Sequence, residues 1–229
     1  MAKKNGFSQS SAKQAGQSRK TALITGASSG IGEALAHGFA GAGFDVILVA
    51  RSEATLKALS QALVAQHGHA AHVLPADLAK RDAAAQLLAA VERNGWTVDV
   101  LVNCAGVLEQ GAFTSIAPAK HQQIIDLNIS GLTAMLSAFV PGMVQRGSGR
   151  VLNVASVAAF QPIPTLASYA ASKAYVLSLS ESLAEELRGT GVTVTALCPG
   201  ITATNMLTQA AGANDKLNQL PGFLVADVQ

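Results

Sequence analysis

Apolar residues in this chain fall into short unbroken runs, separated by longer stretches in which they recur every three or four positions. The runs cover 21–25, 44–50, 71–74, 98–102, 150–155 and 192–197. Runs that are apolar nearly throughout predict strands buried on both faces. The stretches between them predict helices. In 28–43, Ile31, Leu35 and Phe39 fall four apart. Ser52 is placed to cap a helix whose inner side carries Thr55, Leu56, Leu59 and Leu63. Further helices are expected over about 80–93, 121–144 and 168–188. This alternation predicts an α/β fold: one Rossmann-like domain with a doubly wound parallel sheet and helices on both faces. Right-handed crossovers leave few ways to connect the strands.

Composition narrows the class. With 229 residues, 49% hydrophobic and 13% charged, the chain as a whole cannot be disordered. Its 21 glycines follow no triplet period, which excludes collagen. Cys104 and Cys198 lie in apolar, strand-like runs and read as buried thiols rather than a disulfide. The net charge of +2 hides a division. Residues 1–20 hold Lys3, Lys4, Lys13, Arg19 and Lys20 and no acid, while the remainder has 11 basic and 14 acidic residues. The positive charge therefore belongs to a leader and not to a binding face, and no nucleic-acid partner is expected. The leader is rich in Ser, Gln and Lys and has no apolar core. It reads as a disordered basic segment, neither a secretory signal nor a membrane span. The expected divisions are the leader at 1–20, the domain at 21–204, and a substrate-loop region or surface tail at 205–229. A cytoplasmic location without membrane contact is expected. His67, His69 and His72 are close in sequence but lack ligand spacing, so no metal is expected.

A glycine-rich turn joins the first strand to the first helix. Thr25, Gly26, Ala27, Ser28, Ser29, Gly30, Ile31 and Gly32 follow the pattern TGxxxGxG. Gly26 suits a tight turn, Gly30 a close approach by a ligand, and Gly32 close helix packing. The helix start then offers free N–H groups to a pyrophosphate. No Lys-Ser or Lys-Thr pair follows, which argues against the phosphate loop of ATP and GTP enzymes. The second strand ends at Ala50 and Arg51, with no carboxylate to hold a ribose. A guanidinium there can bind a 2′-phosphate, with Ser29 and Ser52 adding hydroxyls, so NADP is favoured over NAD. The bland alternative is an ordinary loop cation. Asp77 and Leu78 follow the third strand, with Asp77 placed to accept from an adenine amino group. Asn103, Cys104, Ala105 and Gly106 follow the fourth and either line the adenosine side or stabilise a central strand.

The candidate chemistry sits further along. Tyr169 and Lys173 are four apart on a predicted helix and share a face. An ammonium beside a phenol lowers its pKa from about 10, so Tyr169 can exchange a proton with an alcohol or a developing alkoxide. On a helix alone the spacing is common and nearly uninformative, and its place after a nucleotide-binding half gives it weight. Ser156 lies just past the fifth strand, placed either to hold a substrate oxygen or to cap a turn. Asn128 interrupts an apolar helix. It either anchors a water leading to Lys173 or is an exposed helix position.

Together these residues resemble the short-chain dehydrogenase/reductase family over 21 to about 204. Residues 25–32 match its glycine motif, and 103–106 resemble its Asn-Asn-Ala-Gly turn, with Cys104 as a departure. Asn128, Ser156, Tyr169 and Lys173 align with its catalytic tetrad. Pro199, Gly200, Ile201, Thr202 and Thr204 resemble the segment that meets the nicotinamide. The resemblance implies hydride transfer between NADP(H) and a carbonyl or alcohol. Tyr169 would handle the proton, Ser156 polarise the oxygen, Lys173 bind the nicotinamide ribose, and Asn128 complete a relay. It also implies a homodimer or homotetramer, and a further helix and seventh strand where this chain reaches Gln229. Ala158, Phe160, Leu166, Met206, Leu207 and Leu217 are expected to wall an apolar substrate pocket, with Lys216 its one cation. A dehydratase or epimerase on the same fold, or a catalytically weak NADP-binding regulatory protein, are the alternatives.

Overall fold

The computed structural model describes residues 19–200. Six strands form one parallel sheet in the order β3-β2-β1-β4-β5-β6. They are β1 (Thr21–Thr25), β2 (Asp45–Ala50), β3 (Ala71–Pro75), β4 (Val100–Asn103), β5 (Gly149–Val154) and β6 (Val192–Leu197). The order reverses between β1 and β4, which is where a crevice opens in doubly wound sheets. Register follows the apolar runs: Leu23 pairs with Ile47 on one side and with Leu101 on the other, and all three are fully buried.

Helices cover both faces. On one, α1 (Gly30–Gly41) and α2 (Glu53–His67) pack Ala36, Ala40, Leu56, Leu59 and Leu63 onto Ile24, Val46, Leu48 and Val102. Ser52 caps α2, its hydroxyl accepting from the Thr55 amide at 3.4 Å, and Gly68 ends it at φ 68°. On the other face, α3 (Ala83–Arg93), α5 (Leu132–Arg146) and α6 (Ala167–Glu186) pack Leu87, Met135, Phe139, Met143 and Val176 onto Leu23, Ile47, Leu101 and Val151.

The predicted helix at 121–144 is longer and less regular than expected. It begins as α4 (Pro118–Ile124), with proline in the first turn where its missing N–H costs nothing. It widens to π geometry over Ile125–Gly131 and continues as α5. Gly131, at the end of the widened segment, lets the helix approach the loop after β3: an added Cβ would stand 2.5 Å from the Leu78 carbonyl. The whole run from Pro118 to Arg146 is long and apolar enough to cross a membrane by length and composition. Its apolar side chains Met135, Leu136, Phe139 and Met143 are core residues of the sheet. Beyond β5 the first face changes character: Arg150, Thr193, Thr195 and Leu197 are exposed, and no described helix packs over them.

Candidate active site

All six strands contribute to a cleft of about 700 Å³ at their carboxyl ends. Gly26, Ser28, Ser29, Gly30 and Ile31 form its floor beyond β1. Gly26 has φ 69°, and a Cβ there would lie 2.9 Å from the Ala105 backbone, so only glycine lets the loops after β1 and β4 touch. Thr25 pins the same two loops. Its buried hydroxyl donates to the Val102 carbonyl at 3.1 Å and accepts from the amides of Cys104 at 2.9 Å and Ala105 at 3.1 Å. Gly32 does not reach the cleft. A Cβ on it would stand 2.2 Å from the Gly26 carbonyl, so its part is to let α1 start directly beneath the turn. Ser29 precedes α1 and makes no side-chain capping bond, which leaves the first-turn amides to a ligand.

Arg51 and Ser52 line the cleft beyond β2, and Asp77 and Leu78 beyond β3. The described ion pairs leave Arg51 unpaired. One Asp77 oxygen is taken by the Ala79 amide at 3.2 Å. Ala105 and Gly106 line the cleft, but Asn103 turns inward and donates to Asn153 Oδ1 at 2.9 Å. Asn153 in turn donates to Ser180 at 2.9 Å. Asn103 therefore ties the central strands together, and it is not among the residues that line the cleft.

Ser156, Tyr169, Lys173, Pro199 and Gly200 complete the cleft. Ser156 caps a turn: its hydroxyl accepts from the Ala158 amide at 3.1 Å at the start of a 3-10 turn over Val157–Phe160, and the residue also lines the cleft. The Lys173 ammonium donates to the Val154 carbonyl at 2.8 Å and lies 5.7 Å from the centre of the Tyr169 ring. Asn128 is buried rather than exposed. Its carboxamide accepts from the Val107 amide at 2.9 Å and donates to the Val107 carbonyl at 2.9 Å and to Ser172 at 3.0 Å. It stands behind the cleft. A Cβ on Gly106 would lie 3.4 Å from Asn128 Oδ1 and 3.6 Å from Lys173 Nζ, so both groups press on the back of that glycine.

Burial sets the electrostatics. It lowers Lys173 to about 8, with Cys104 and Cys198 opposing the shift. It raises the Tyr169 phenol above its ordinary value, a rise that the Ser156 hydroxyl limits. The expected lowering of Tyr169 by Lys173 is not what sets this direction: burial dominates, and the Cys104 thiol adds to the rise. The ammonium gives a hydrogen bond to the Val154 carbonyl, and desolvation of the phenolate is the largest influence on Tyr169. Burial likewise lifts the Cys104 thiol to about 11, which disfavours its thiolate.

A model of the short chain dehydrogenase family matches residues 20–215. The chain belongs to the short chain dehydrogenase family. A short chain dehydrogenase of Pseudocercospora fijiensis is 40% identical over 184 residues, which cover 79% of this chain and 59% of that protein. Among solved structures, the short-chain dehydrogenase from Sphingobium yanoikuyae in complex with NADPH is 36% identical at a TM-score of 0.83, covering 91% of this chain and 80% of that one. The 3-oxoacyl (acyl-carrier-protein) reductase from Agrobacterium tumefaciens C58 with NADP bound is 32% identical at a TM-score of 0.79, covering 87% and 76%.

Two expectations for this family member need correction or fall elsewhere. Ala158 and Phe160 do not wall the main cleft. The 3-10 turn after Ser156 carries them away, to a separate apolar groove of about 560 Å³ shared with Ala167, Ala170, Ala171 and Ala174. Leu166 lines neither. The main cleft instead gains Val107, Leu108, Glu109, Lys120 and Gln123, and Lys120 pairs with Glu109 at 3.4 Å. Nothing in the spacing of those residues pointed to the cleft. Ser172 and Ser180 were also missed, although with Val176 they recur every four residues on the inner face of α6. Ile201, Thr202, Thr204, Met206, Leu207, Lys216 and Leu217 lie outside the described residues. Among the described residues no group of three or more His, Cys, Asp or Glu could hold a metal.

Proposed function

We propose that this family member is an NADP(H)-dependent oxidoreductase acting on a small to medium, largely apolar carbonyl or alcohol, with Tyr169 as general acid and base. The observation that carries the reading is one cleft lined at one end by the Gly26–Ile31 turn and Arg51, and at the other by Ser156, Tyr169 and Lys173. The residues fit a dinucleotide phosphate. Gly26 and Gly30 both take positive φ and present backbone rather than side chain. Arg51 supplies a charge-assisted donor for a 2′-phosphate where no carboxylate would repel one. The two solved relatives, named for bound NADPH and NADP, support the same choice. NADPH supplies the hydride when bound.

The chain's own residues handle the rest. The Tyr169 phenol donates its proton to the substrate oxygen during reduction and takes it back during oxidation. Its raised pKa keeps it protonated through neutral pH, which favours the donor role. The Ser156 hydroxyl holds the oxygen beside it. Lys173, fixed by Val154, holds ribose hydroxyls, and Asn128 fixes the Val107 backbone behind them. Val107 and Leu108 give the substrate an apolar wall. We place a homodimer or homotetramer contact on the outer faces of the π turn and α6, where Ile125 and Tyr175 are exposed.

The test is a panel of ketones and aldehydes, with NADPH and NADH consumed in parallel. The reading expects turnover with NADPH well ahead of NADH. Tight NADPH binding without turnover of any carbonyl would favour a regulatory protein instead.

A further inference from the structure

The loop from β4 to α4 and the loop from β5 to α6 reach the cleft from different strands, and two links join them outside it. The Gly111 amide donates to the Thr165 carbonyl at 3.0 Å. Thr165 has φ 70°, alone among described non-glycine residues in being positive, a conformation that β-branched residues rarely adopt. The second link is His121 on α4. Its Nδ1 lies 2.7 Å from Ser168 Oγ, its Nε2 lies 3.2 Å from the Phe113 carbonyl, and its ring sits 4.4 Å from the Phe113 ring. A carbonyl only accepts, so in the neutral ring Nε2 carries the hydrogen and Nδ1 accepts from the Ser168 hydroxyl. Ser168 immediately precedes Tyr169 in the first turn of α6. That turn has no side-chain cap of its own. The imidazole therefore grips the helix end that bears the phenol.

We infer that His121 is a positioning residue: through Ser168 it fixes the first turn of α6 and so keeps the Tyr169 phenol aimed into the cleft. The inference rests on the reading of Tyr169 as the proton carrier. It makes the Nδ1 bond decisive and the Phe113 bond secondary, and two substitutions separate them. Asparagine places its carboxamide oxygen near the position of Nδ1 and keeps the Ser168 bond. Glutamine places its amide nitrogen near the position of Nε2 and keeps the Phe113 bond.

The chain has two tyrosines, so a protein labelled with carbon-13 at the tyrosine Cζ gives two resonances, and Tyr175→Phe assigns them. His121→Asn is expected to leave the Tyr169 resonance in place. His121→Gln and Ser168→Ala are expected to displace or broaden it. With the ketone turned over fastest, the latter two lower kcat on the order of tenfold while the KM for NADPH holds. Thermal unfolding recorded on each variant separates this from loss of fold. The inference is overturned if Ser168→Ala and His121→Gln overlay the wild type in resonance and kcat, or if His121→Asn is displaced as far as they are. Tyr169→Phe keeps the two claims apart. If it retains activity while the resonances move as expected, the role of Tyr169 falls and the grip on α6 stands. If it is inactive and no resonance moves, the grip alone falls.

Discussion

In the half built on β1, β2 and β3, the cleft is faced mainly by backbone: glycine turns, the amides at the start of α1, and loop residues with Arg51 at their edge. In the half built on β4, β5 and β6 it is faced by side chains that need holding. The distribution of buried polar residues follows the same line. Of Thr25, Asn103, Asn128, Asn153, Ser156, Ser172, Lys173 and Ser180, only Thr25 belongs to the first half. A backbone cradle needs room, and room comes from missing Cβ atoms. A reactive side chain needs partners, and partners have to be buried with it. The first half should therefore fail through steric intrusion and the second through lost hydrogen bonds or altered charge.

The largest effect should come from Tyr169→Phe, which removes one oxygen and leaves the cradle untouched. Carbonyl reduction is expected to fall by about 10²–10⁴-fold with NADPH affinity preserved, measured by steady-state kinetics beside a binding titration. Loss of both together would break the separation between the halves. Gly32→Ala is the converse. The new methyl meets the Gly26 carbonyl at 2.2 Å, inside any allowed contact. Stability should drop by about 1–3 kcal/mol or more in urea unfolding, with NADPH binding lost as the turn is forced away from α1. Arg51→Ala touches neither fold nor chemistry. It should raise the KM for NADPH on the order of tenfold or more and leave that for NADH nearly unchanged.

Lys173→Met sharpens the contrast from the stability side. The folded-state pKa is about 8 against an ordinary 10.5. Between those values the unfolded chain binds the proton that the folded chain has released, so stability attributable to this group rises with pH across that window. Below it the full cost of the buried charge is present. The variant should lose activity, gain about 1–2 kcal/mol at neutral pH, and flatten the rise between pH 8 and 10.5. A variant less stable than wild type at pH 7 would show that the Val154 bond outweighs the desolvation.

The same contrast governs what could be read from the chain alone. Strands and helices were legible to within a few residues, because apolar runs and four-residue spacing are local patterns. The glycine turn was legible because its requirement is local too. That Ser156, Tyr169 and Lys173 share one cleft was visible through motif spacing. Their support was not, since the partners lie far apart: Asn103 meets Asn153 across 50 positions, Asn128 meets Ser172 across 44, and His121 meets Ser168 across 47. The lining of the main cleft was misjudged for a related reason. Whether Ala158 and Phe160 face the cleft depends on the direction of the 3-10 turn that Ser156 caps, and composition carries no direction.

The widened turn at Ile125–Gly131 also fixes the phase between α4 and α5. One residue advances an α-helix by about 100°. Deleting a single residue from this segment would swing Lys120, His121 and Gln123 around the axis while α5 stayed seated on the sheet. Insertions and deletions here act as a rotation of the cleft rim, so the segment's length is as much a part of the site as the side chains it carries.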